Sequence, residues 1–230
     1  MIHIKADEQL FAQAGDVKFG IIHYEGMEAG NIPSMLVGRL QLYIEQLHTE
    51  LQMKEWADYP GITAWRKIFK KTGADPSKYR PSAEALYRRI KKEPSAPTGN
   101  SSIALNNFFS LQYEIPLGIY DVKAIKGDVH IKIGSETDRY EGLNGRTNTL
   151  NGIIGTFDEE GVFGSPYVDS VRTSIQDDTK DALQVVYFHH DHSIEQAGKM
   201  LEAISKMFIQ VHGGDSSIYL VSHENQKIDI

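Results

Sequence analysis

The stretch GSPYVDSVRTSI, residues 164–175, joins a tight turn to a dense group of polar side chains. After Gly-Ser-Pro come Asp169, Ser170, Arg172 and Thr173, within five positions. Gly and Pro mark the turn, and the alternation that follows predicts a polar strand. A carboxylate, two hydroxyls and a guanidinium this close together indicate either a substrate pocket or the edge of a sheet, where the carboxylate and the guanidinium would form an ion pair.

Short apolar segments separated by Gly, Asn and Asp surround this stretch from residue 116 onward. Strands are predicted at 118–125, 128–134, 138–143, 151–158, 167–175 and 183–190. An amphipathic helix over about 192–210 and a closing strand near 216–222 follow. This order predicts a meandering sheet covered by a helix.

The first half of the chain is mostly helical. One strand is predicted at 17–24, and helices are predicted at 34–53, from Pro60 to Gly73, from Pro81 to about 92, and at 101–111. Ser34 and Ser82 are the expected N-caps, and 93–100 is expected to be a linker. Because helices and strands are partly segregated along the chain, the fold class is predicted as α+β.

Composition excludes several classes of protein. The 230 residues are 40% hydrophobic, which suffices for a sizeable core, and Cys is absent, which excludes disulfides, thiolate catalysis and cysteine metal sites. No apolar run approaches a membrane span, and the N-terminus has no apolar signal region. We therefore expect a cytoplasmic protein with no membrane partner.

Positive charge is concentrated in one segment. Residues 66–92 hold ten basic and two acidic side chains, a local balance of +8, whereas the whole chain carries −7 and the remainder therefore −15. Such a segment is either a solvated helix face or a contact for nucleic-acid phosphates. The candidate RNA-binding residues are Arg80, Arg88, Arg89, Lys91 and Lys92.

Motifs for metal, cofactor or nucleophilic chemistry are weak. In FHHDH, residues 188–192, neighbouring positions on a strand point to opposite faces, so the sequence predicts no metal site. No phosphate loop or Gly-x-Ser-x-Gly elbow is present, and no cofactor is predicted. Asn106 and Asn107 stand out because Asn is unfavourable in a helix, so a tertiary or ligand hydrogen bond is expected for at least one of them.

Three segments together resemble a known family. RPSAEALYRRI at 80–90, N…NNFFSLQYEIPLGIYDVKAIKGDVHI at 100–131, and GTFDEEGVFGSPYVDSVRTSIQDDT at 155–179 look like the B3/B4 tRNA-binding domain, over roughly 60–210. This domain occurs in the beta subunit of phenylalanyl-tRNA synthetase and as a free-standing protein. The resemblance implies a layered sandwich of mixed and antiparallel sheets packed with helices.

The resemblance also implies a domain organisation and a function. A B3/B4-like domain is expected at 57–230, with 1–56 as a strand-helix extension packed on its core. In the synthetase the domain edits, hydrolysing the ester of misacylated tRNA, chiefly tyrosine on the phenylalanine tRNA. This chain is too short for an ATP-binding catalytic domain, so it resembles the free-standing form rather than a complete ligase. The implied partner is the aminoacylated 3′ end of tRNA, with no DNA partner expected.

Site roles follow from the same resemblance. Ester hydrolysis needs an oriented water, a stabilised oxyanion and a held amino acid. Asp169 is expected to hold the substrate ammonium or a water, with Ser170, Arg172 and Thr173 completing the catalytic group. The substrate-binding candidates are Asn100, Asn106, Asn107, Gly118, Tyr120, Gly164 and Ser165, with backbone N–H groups of the last two as an oxyanion nest.

Two positions depart from the synthetase pattern. Gly118 stands where the synthetase module commonly has His, and Arg172 or Asp169 where it has the Glu that binds tyrosine. The expected substrate is therefore a different amino acid. Two other functions remain open: a non-catalytic module that binds tRNA or a synthetase, and a small-molecule or amino-acid-binding protein of the same fold. The location of the basic segment relative to Asp169 distinguishes the RNA-binding functions from the last one.

Overall fold

A computed structural model describes residues 1–95 and 99–230 of the chain. Its helices are α1 Glu8–Ala14, α2 Ser34–Met53, α3 Pro60–Thr72, α4 Ser82–Lys92, α5 Ser101–Tyr113 and α6 Ile194–His212. Its strands are β1 His3–Ala6, β2 Lys18–Glu25, β3 Leu117–Asp121, β4 Val129–Ile133, β5 Arg139–Glu141, β6 Thr147–Thr149, β7 Ile154–Asp158, β8 Gly161–Gly164, β9 Ala182–Phe188, β10 Asp215–Val221 and β11 Lys227–Asp229. Short 3-10 helices lie at Trp56–Asp58 and Val122–Ala124.

The strands form three sheets. One antiparallel sheet has the order β10-β2-β9-β3, a second sheet has the order β11-β1-β4-β7-β8, and β5 pairs with β6. In the second sheet β1 and β4 are parallel and the other pairs are antiparallel, so this sheet is mixed. The α+β class is confirmed. The meandering sheet is wrong, because successive strands such as β3 and β4 enter different sheets.

Each of the two large sheets contains one N-terminal strand at a position that is not an edge. β1 is between β11 and β4, and β2 is between β10 and β9. A boundary between 1–56 and 57–230 therefore cuts through two sheets. Helix α2 packs beside α4, where a second apolar cluster forms from Ile44, Leu47, Leu51, Tyr59, Ile62, Tyr87, Ile90 and Leu111.

Helix ends follow their prolines and glycines. Gly73 ends α3 in the left-handed conformation, at φ 104°, as predicted. Ser34 and Ser82 are the first helical residues rather than N-caps, because Pro33 and Pro81, with ψ near 140°, occupy the cap position. The predicted linker lies partly at 96–98, outside the described residues. After it, the Asn100 side chain caps α5 by accepting from the N–H of Ser102.

The region 165–175 is an irregular loop rather than the predicted strand. In the described chain its β-type pairing is limited to the isolated bridges Gly142–Ser170 and Tyr120–Ser174, and its other contacts are single hydrogen bonds and side-chain contacts. Local hydrogen bonds replace a ladder here because Ser165 folds the chain back on itself. Its hydroxyl accepts from the N–H groups of Tyr167 and Val168 and donates to the Val168 carbonyl.

The apolar core lies around the large sheets, and Trp65 is among its largest fully buried side chains. Its indole N–H donates to the Tyr187 carbonyl across 3.2 Å, which ties α3 to β9. Among the described helices, none has an apolar stretch long enough to cross a bilayer.

Candidate functional site

A cavity of about 330 Å³ lies among α4, α5, β3 and the 165–175 loop. Part of its lining is aliphatic, and its polar groups come from the two helices, the 165–175 loop and Asn144 of the β5–β6 turn. Residues from every one of these elements line it: Ser82, Ala85, Leu86, Arg89, Ile103, Asn106, Asn107, Ser110, Leu117, Ile119, Leu143, Asn144, Tyr167, Val168, Asp169, Ser174 and Ile175. An apolar cavity with a few convergent polar groups is the usual form of a small-ligand site.

Two glycines make room for a buried tyrosine beside this cavity. A side chain at Gly118 or at Gly164 would overlap the hydroxyl end of Tyr120. The Tyr120 ring is fully buried and packs edge-to-face on Phe163, with centroids 4.9 Å apart. Because Gly118 and Gly164 have no side chains, the Tyr120 ring can occupy this space and bring its hydroxyl next to the cavity.

Tyr120 fixes the one carboxylate of the cavity lining. Its hydroxyl donates to Oδ1 of Asp169 across 2.7 Å, and the Ser165 N–H reaches the same oxygen across 3.4 Å. Within the described chain, no hydrogen bond reaches Oδ2. Burial raises the pKa of the Asp169 carboxyl to about 7, against the lowering effect of those two hydrogen bonds. Asp169 is therefore held in place, and its pKa lies well above that of an ordinary carboxyl.

The two asparagines of α5 differ in availability. The Asn106 amide donates to the Leu117 carbonyl and its oxygen accepts from Gln184, which in turn accepts from the Tyr24 hydroxyl. A tertiary network thus explains Asn106. Asn107 lines the cavity half-buried, and the described residues give its amide no hydrogen-bond partner.

Arg172 belongs to a different cluster. Its guanidinium makes two hydrogen bonds to the Asp158 carboxylate, at 2.7 and 2.9 Å, and one to the Ala124 carbonyl at 3.0 Å. The Asp158 side chain is fully buried. The alternative in which Arg172 forms an ion pair with Asp169 is therefore wrong, because the irregular loop turns the guanidinium toward the end of β7.

Three other predicted residues hold the backbone. The Ser170 hydroxyl donates to the Glu141 carbonyl, and the buried Thr173 hydroxyl donates to the Phe163 carbonyl. The Asn100 side chain caps α5 and donates to Asp177. None of these three lines the cavity. The structure does not bring Ser170, Arg172 or Thr173 into the cavity, so it separates the predicted catalytic group.

The basic segment divides into two parts. Arg89 is exposed and lines the cavity. Arg80 is exposed as well, and with Lys78 and Arg146 it lies near enough to the cavity residue Tyr167 to favour ionisation of its hydroxyl, although burial raises the pKa of Tyr167 overall.

Two other basic side chains of α4, Arg88 and Lys91, contact neighbouring side chains of the protein. Arg88 donates to the fully buried Glu84 carboxylate across 2.8 Å, and Arg66 donates to both oxygens of Glu84 at 2.9 Å. Arg88 and Lys91 also lie over the Trp56 ring, at 4.4 and 5.4 Å from its centroid. Lys92 is exposed and outside the cavity.

Sequence reasoning missed several cavity residues. Ser82 was expected to cap α4, but its Oγ is buried without a hydrogen-bond partner and the residue lines the cavity. Tyr167 packs edge-to-face on Tyr79, with centroids 5.4 Å apart. The polar Gln184 inside the apolar strand LQVVYF was the available signal for the buried network behind Asn106.

The histidine-rich turn after β9 is separate from the cavity. In the described chain, ligating atoms of His189, His190 and Asp191 lie within 4.8 Å of one another. Burial lowers the pKa of His189 to about 4. Two of these three side chains are exposed, and three ligands are one fewer than the four that a structural zinc site uses. The absence of a metal site stays a prediction.

Comparison with known proteins gives consistent results. The family model described as B3/4 domain matches residues 64–211. The uncharacterized protein YhzB of Bacillus subtilis is 27% identical over 219 residues, which are 95% of this chain and 99% of YhzB. The phenylalanine–tRNA ligase beta subunit of Zymomonas mobilis is 25% identical over 142 residues, which are 61% of this chain and 18% of that subunit.

A second ligase subunit and a solved structure are also similar. The phenylalanine–tRNA ligase beta subunit of Bartonella quintana is 29% identical over 147 residues, 62% of this chain and 17% of that subunit. An N-terminal fragment of the phenylalanyl-tRNA synthetase beta subunit from Pyrococcus horikoshii aligns over 95% of this chain and 53% of the fragment, with 14% identity and a TM-score of 0.45. The chain thus spans less than a fifth of the ligase subunits it matches.

Proposed function

Because this chain belongs to the B3/4 domain family, we propose that it binds tRNA and hydrolyses the ester of misacylated tRNA. The family region is shared with ligase beta subunits that act on a tRNA, as their name states. One observation carries the proposal: Arg89 of the basic segment and the anchored carboxylate of Asp169 line the same cavity. Under this proposal Arg89 contacts a tRNA phosphate while Asp169 acts on the ester in the same cavity.

The location of the basic segment favours RNA over a small-molecule substrate. If that segment lay opposite Asp169, a single tRNA end could not reach both. Instead α4 forms a wall of the cavity, and Lys78, Arg80 and Arg146 lie around Tyr167. Cations placed in this way neutralise phosphates of the acceptor end and make binding salt-dependent. Arg88 contributes less, because Glu84 already neutralises it.

The chemistry assigned to Asp169 is general-base catalysis. A carboxylate whose pKa is near 7 is matched to proton transfer at neutral pH, and its Oδ2 is open to a water. Asp169 takes a proton from that water as the water oxygen bonds to the ester carbonyl carbon. When the tetrahedral intermediate breaks, the carbon–oxygen bond to the ribose cleaves and the ribose oxygen receives the proton. The products are the free amino acid and intact tRNA.

The remaining groups of the cavity bind rather than react. The Asn107 amide, which makes no hydrogen bond to another described residue, is placed to donate to the ester carbonyl as negative charge develops there. The amino acid side chain occupies the aliphatic part of the cavity, where the buried Ser82 hydroxyl offers a polar contact. This part of the lining favours an apolar or hydroxylated amino acid over a charged one, because burying a charge among aliphatic side chains is costly.

The proposal is tested with a panel of tRNAs, each charged with a different radiolabelled amino acid. The wild-type protein is expected to release at least one amino acid faster than buffer alone, with an apolar or hydroxylated side chain. Salt-dependent tRNA binding without release of any amino acid would instead establish a non-catalytic module. Failure to bind tRNA at low salt, where phosphate contacts are strongest, would reject both RNA-binding functions.

A further inference from the structure

A second cavity, of about 310 Å³, lies between α2, α4 and α5, and the proposed hydrolysis makes no use of it. Its walls combine aromatic, aliphatic and polar side chains. They are Leu40, Tyr43, Ile44, Arg89, Ile90, Glu93, Ser95, Ile103, Ala104, Asn107, Phe108 and Leu111. Five of these residues come from α5, three from α2 and two from α4, and Glu93 and Ser95 follow α4.

The two cavities are neighbours. Arg89, Ile103 and Asn107 line both of them, so a ligand that passes these three residues extends from one cavity into the other. Ile103 is 38% exposed, so it places apolar surface where the two cavities meet. Arg89, Ile103 and Asn107 thus form the junction between the two cavities.

Two aromatic rings form the part of the second cavity that a flat ligand would contact. Tyr43 and Phe108 meet edge-to-face, with centroids 5.2 Å apart and planes at 77°. Both rings are half-buried, so each keeps an accessible surface. Nucleic-acid bases stack on exposed aromatic side chains, and polar groups at their edges supply hydrogen bonds. Glu93 offers an acceptor and Ser95 a hydroxyl donor at this position.

We propose that the second cavity binds the base of the 3′-terminal adenosine of tRNA, a site that rests on the proposed function. The ribose then lies at the junction, its ester enters the cavity of Asp169, and Arg89 meets the adjoining phosphate. In the aminoacylated nucleotide the base is joined to the ribose and the ribose to the ester. The second cavity, the junction and the Asp169 carboxylate follow one another in the same order. Tyr43 lies on α2, outside the residues 64–211 that match the family model, so this contact belongs to the N-terminal part of the chain.

Binding of adenosine 5′-monophosphate to the full chain tests the site without requiring catalysis. Chemical-shift titration of the wild type should saturate at millimolar nucleotide. Because the two ring planes are 77° apart, the base stacks on one ring and contacts the other edge-on. Tyr43→Leu and Phe108→Leu should therefore both weaken binding, the variant that loses the stack by roughly tenfold and the other by less. Tyr43→Phe keeps the ring and should keep the affinity. Tyr219→Leu is the matched control, because Tyr219 is a half-buried tyrosine on β10, the far edge of the sheet from β3.

Two results would overturn the adenosine site. One is equal binding of ribose 5-phosphate and the nucleotide, which would mean that only the phosphate is held. The other is hydrolysis of aminoacyl-tRNA by the wild type at a rate that Tyr43→Leu leaves unchanged, which would retain the proposed function and remove the base site. Conversely, nucleotide binding that depends on Tyr43, in a protein that hydrolyses no ester, would support the site and reject the catalysis.

Discussion

The Tyr120 hydroxyl donates to Oδ1 of Asp169 across 2.7 Å, and this bond joins strand β3 to the loop that follows β8. Its consequence is orientation: with Oδ1 occupied, the carboxylate offers Oδ2 for a water. The bond exists because Gly118 and Gly164 leave space for the tyrosine. A side chain at position 118, where the resemblance to the synthetase module implies His, would overlap the Tyr120 hydroxyl that makes this bond.

Gly118→Ala should destabilise the fold, because its Cβ would overlap the Tyr120 hydroxyl. We expect a loss of about 1–3 kcal/mol in the free energy of unfolding, as for other overpacked sites. Urea denaturation measures it. Gly38→Ala is the matched control, because a Cβ at that position of α2 meets nothing within 4 Å, and Ala is favoured over Gly inside a helix. Equal effects of the two substitutions would show that the structure accommodates a Cβ at position 118 beside Tyr120 without cost.

Arg172→Ala should lower stability without abolishing ester hydrolysis. The substitution leaves the buried Asp158 carboxylate without its guanidinium, although the N–H groups of Lys126 and Glu160 still bind it. We expect a loss of about 2 kcal/mol, below the 3–5 kcal/mol for a fully buried pair because Arg172 is partly exposed. The rate of amino acid release per folded molecule should stay within a factor of about two of wild type. A loss of catalysis in folded protein would return Arg172 to the catalytic group.

Arg88 and Arg89 are adjacent but should respond differently to neutralisation. Arg89→Gln should weaken tRNA binding and reduce the slope of log affinity against log salt by about 1, with stability unchanged within about 0.5 kcal/mol. Arg88→Gln should instead destabilise the protein, since it removes one of the two guanidinium partners of the buried Glu84. Lys206→Gln on α6, which contributes no residue to the cavity lining, removes the same charge and should change neither property. Reversed effects of the two arginines would contradict the assignment.

Asp169→Asn should stabilise the protein at pH 8 and have little effect at pH 4. A carboxyl whose pKa is raised in the folded state binds its proton more tightly there than when unfolded. Stability is therefore lost as pH rises from the unfolded pKa, near 4, to about 7, and the amide removes this loss. We expect a gain of roughly 2 kcal/mol above pH 7, about half of what 1.36 kcal/mol per unit would give.

Denaturation of the wild type and of Asp169→Asn from pH 4 to pH 8 measures this difference. Asp178→Asn is the control, because Asp178 is an exposed carboxylate outside the cavity. The stability curves of the wild type and of Asp169→Asn should separate as the pH rises. Parallel curves over this range would mean that Asp169 titrates as an ordinary exposed carboxylate.

Local sequence patterns predicted the long elements of this fold. The apolar spacing of α2, the Pro60 and Gly73 ends of α3, and the β-branched run of β9 each determine their own element. The short strands β1, β6, β8 and β11 were missed, because three or four residues carry too little periodicity and are held by their sheet partners. The sheet order could not be derived from sequence, since it depends on contacts between distant segments.

The candidate site was predicted in part for the same reason. Asp169, Asn106 and Asn107 were found because a polar residue is conspicuous after a Gly-Pro turn or inside a helix. Arg172 was placed wrongly because its partner Asp158 is fourteen positions away and the intervening turn is invisible to periodicity. Ser82 was misread because a hydroxyl after proline at a helix start is equally typical of a cap and of an inward-facing residue.

The most direct test of the central claim is the pH dependence of single-turnover ester hydrolysis by the wild type and by Asp169→Asn, on the misacylated tRNA that the panel identifies. Both proteins should bind that tRNA with similar affinity, so that only the chemical step differs. After subtraction of the buffer rate, the wild-type rate should rise through about pH 7 to a plateau as Asp169 ionises, and the variant should be slower by a factor on the order of 100, the usual contribution of a general base. A variant that hydrolyses the ester as fast as wild type, with the same pH profile, would contradict the assignment of Asp169 as the base.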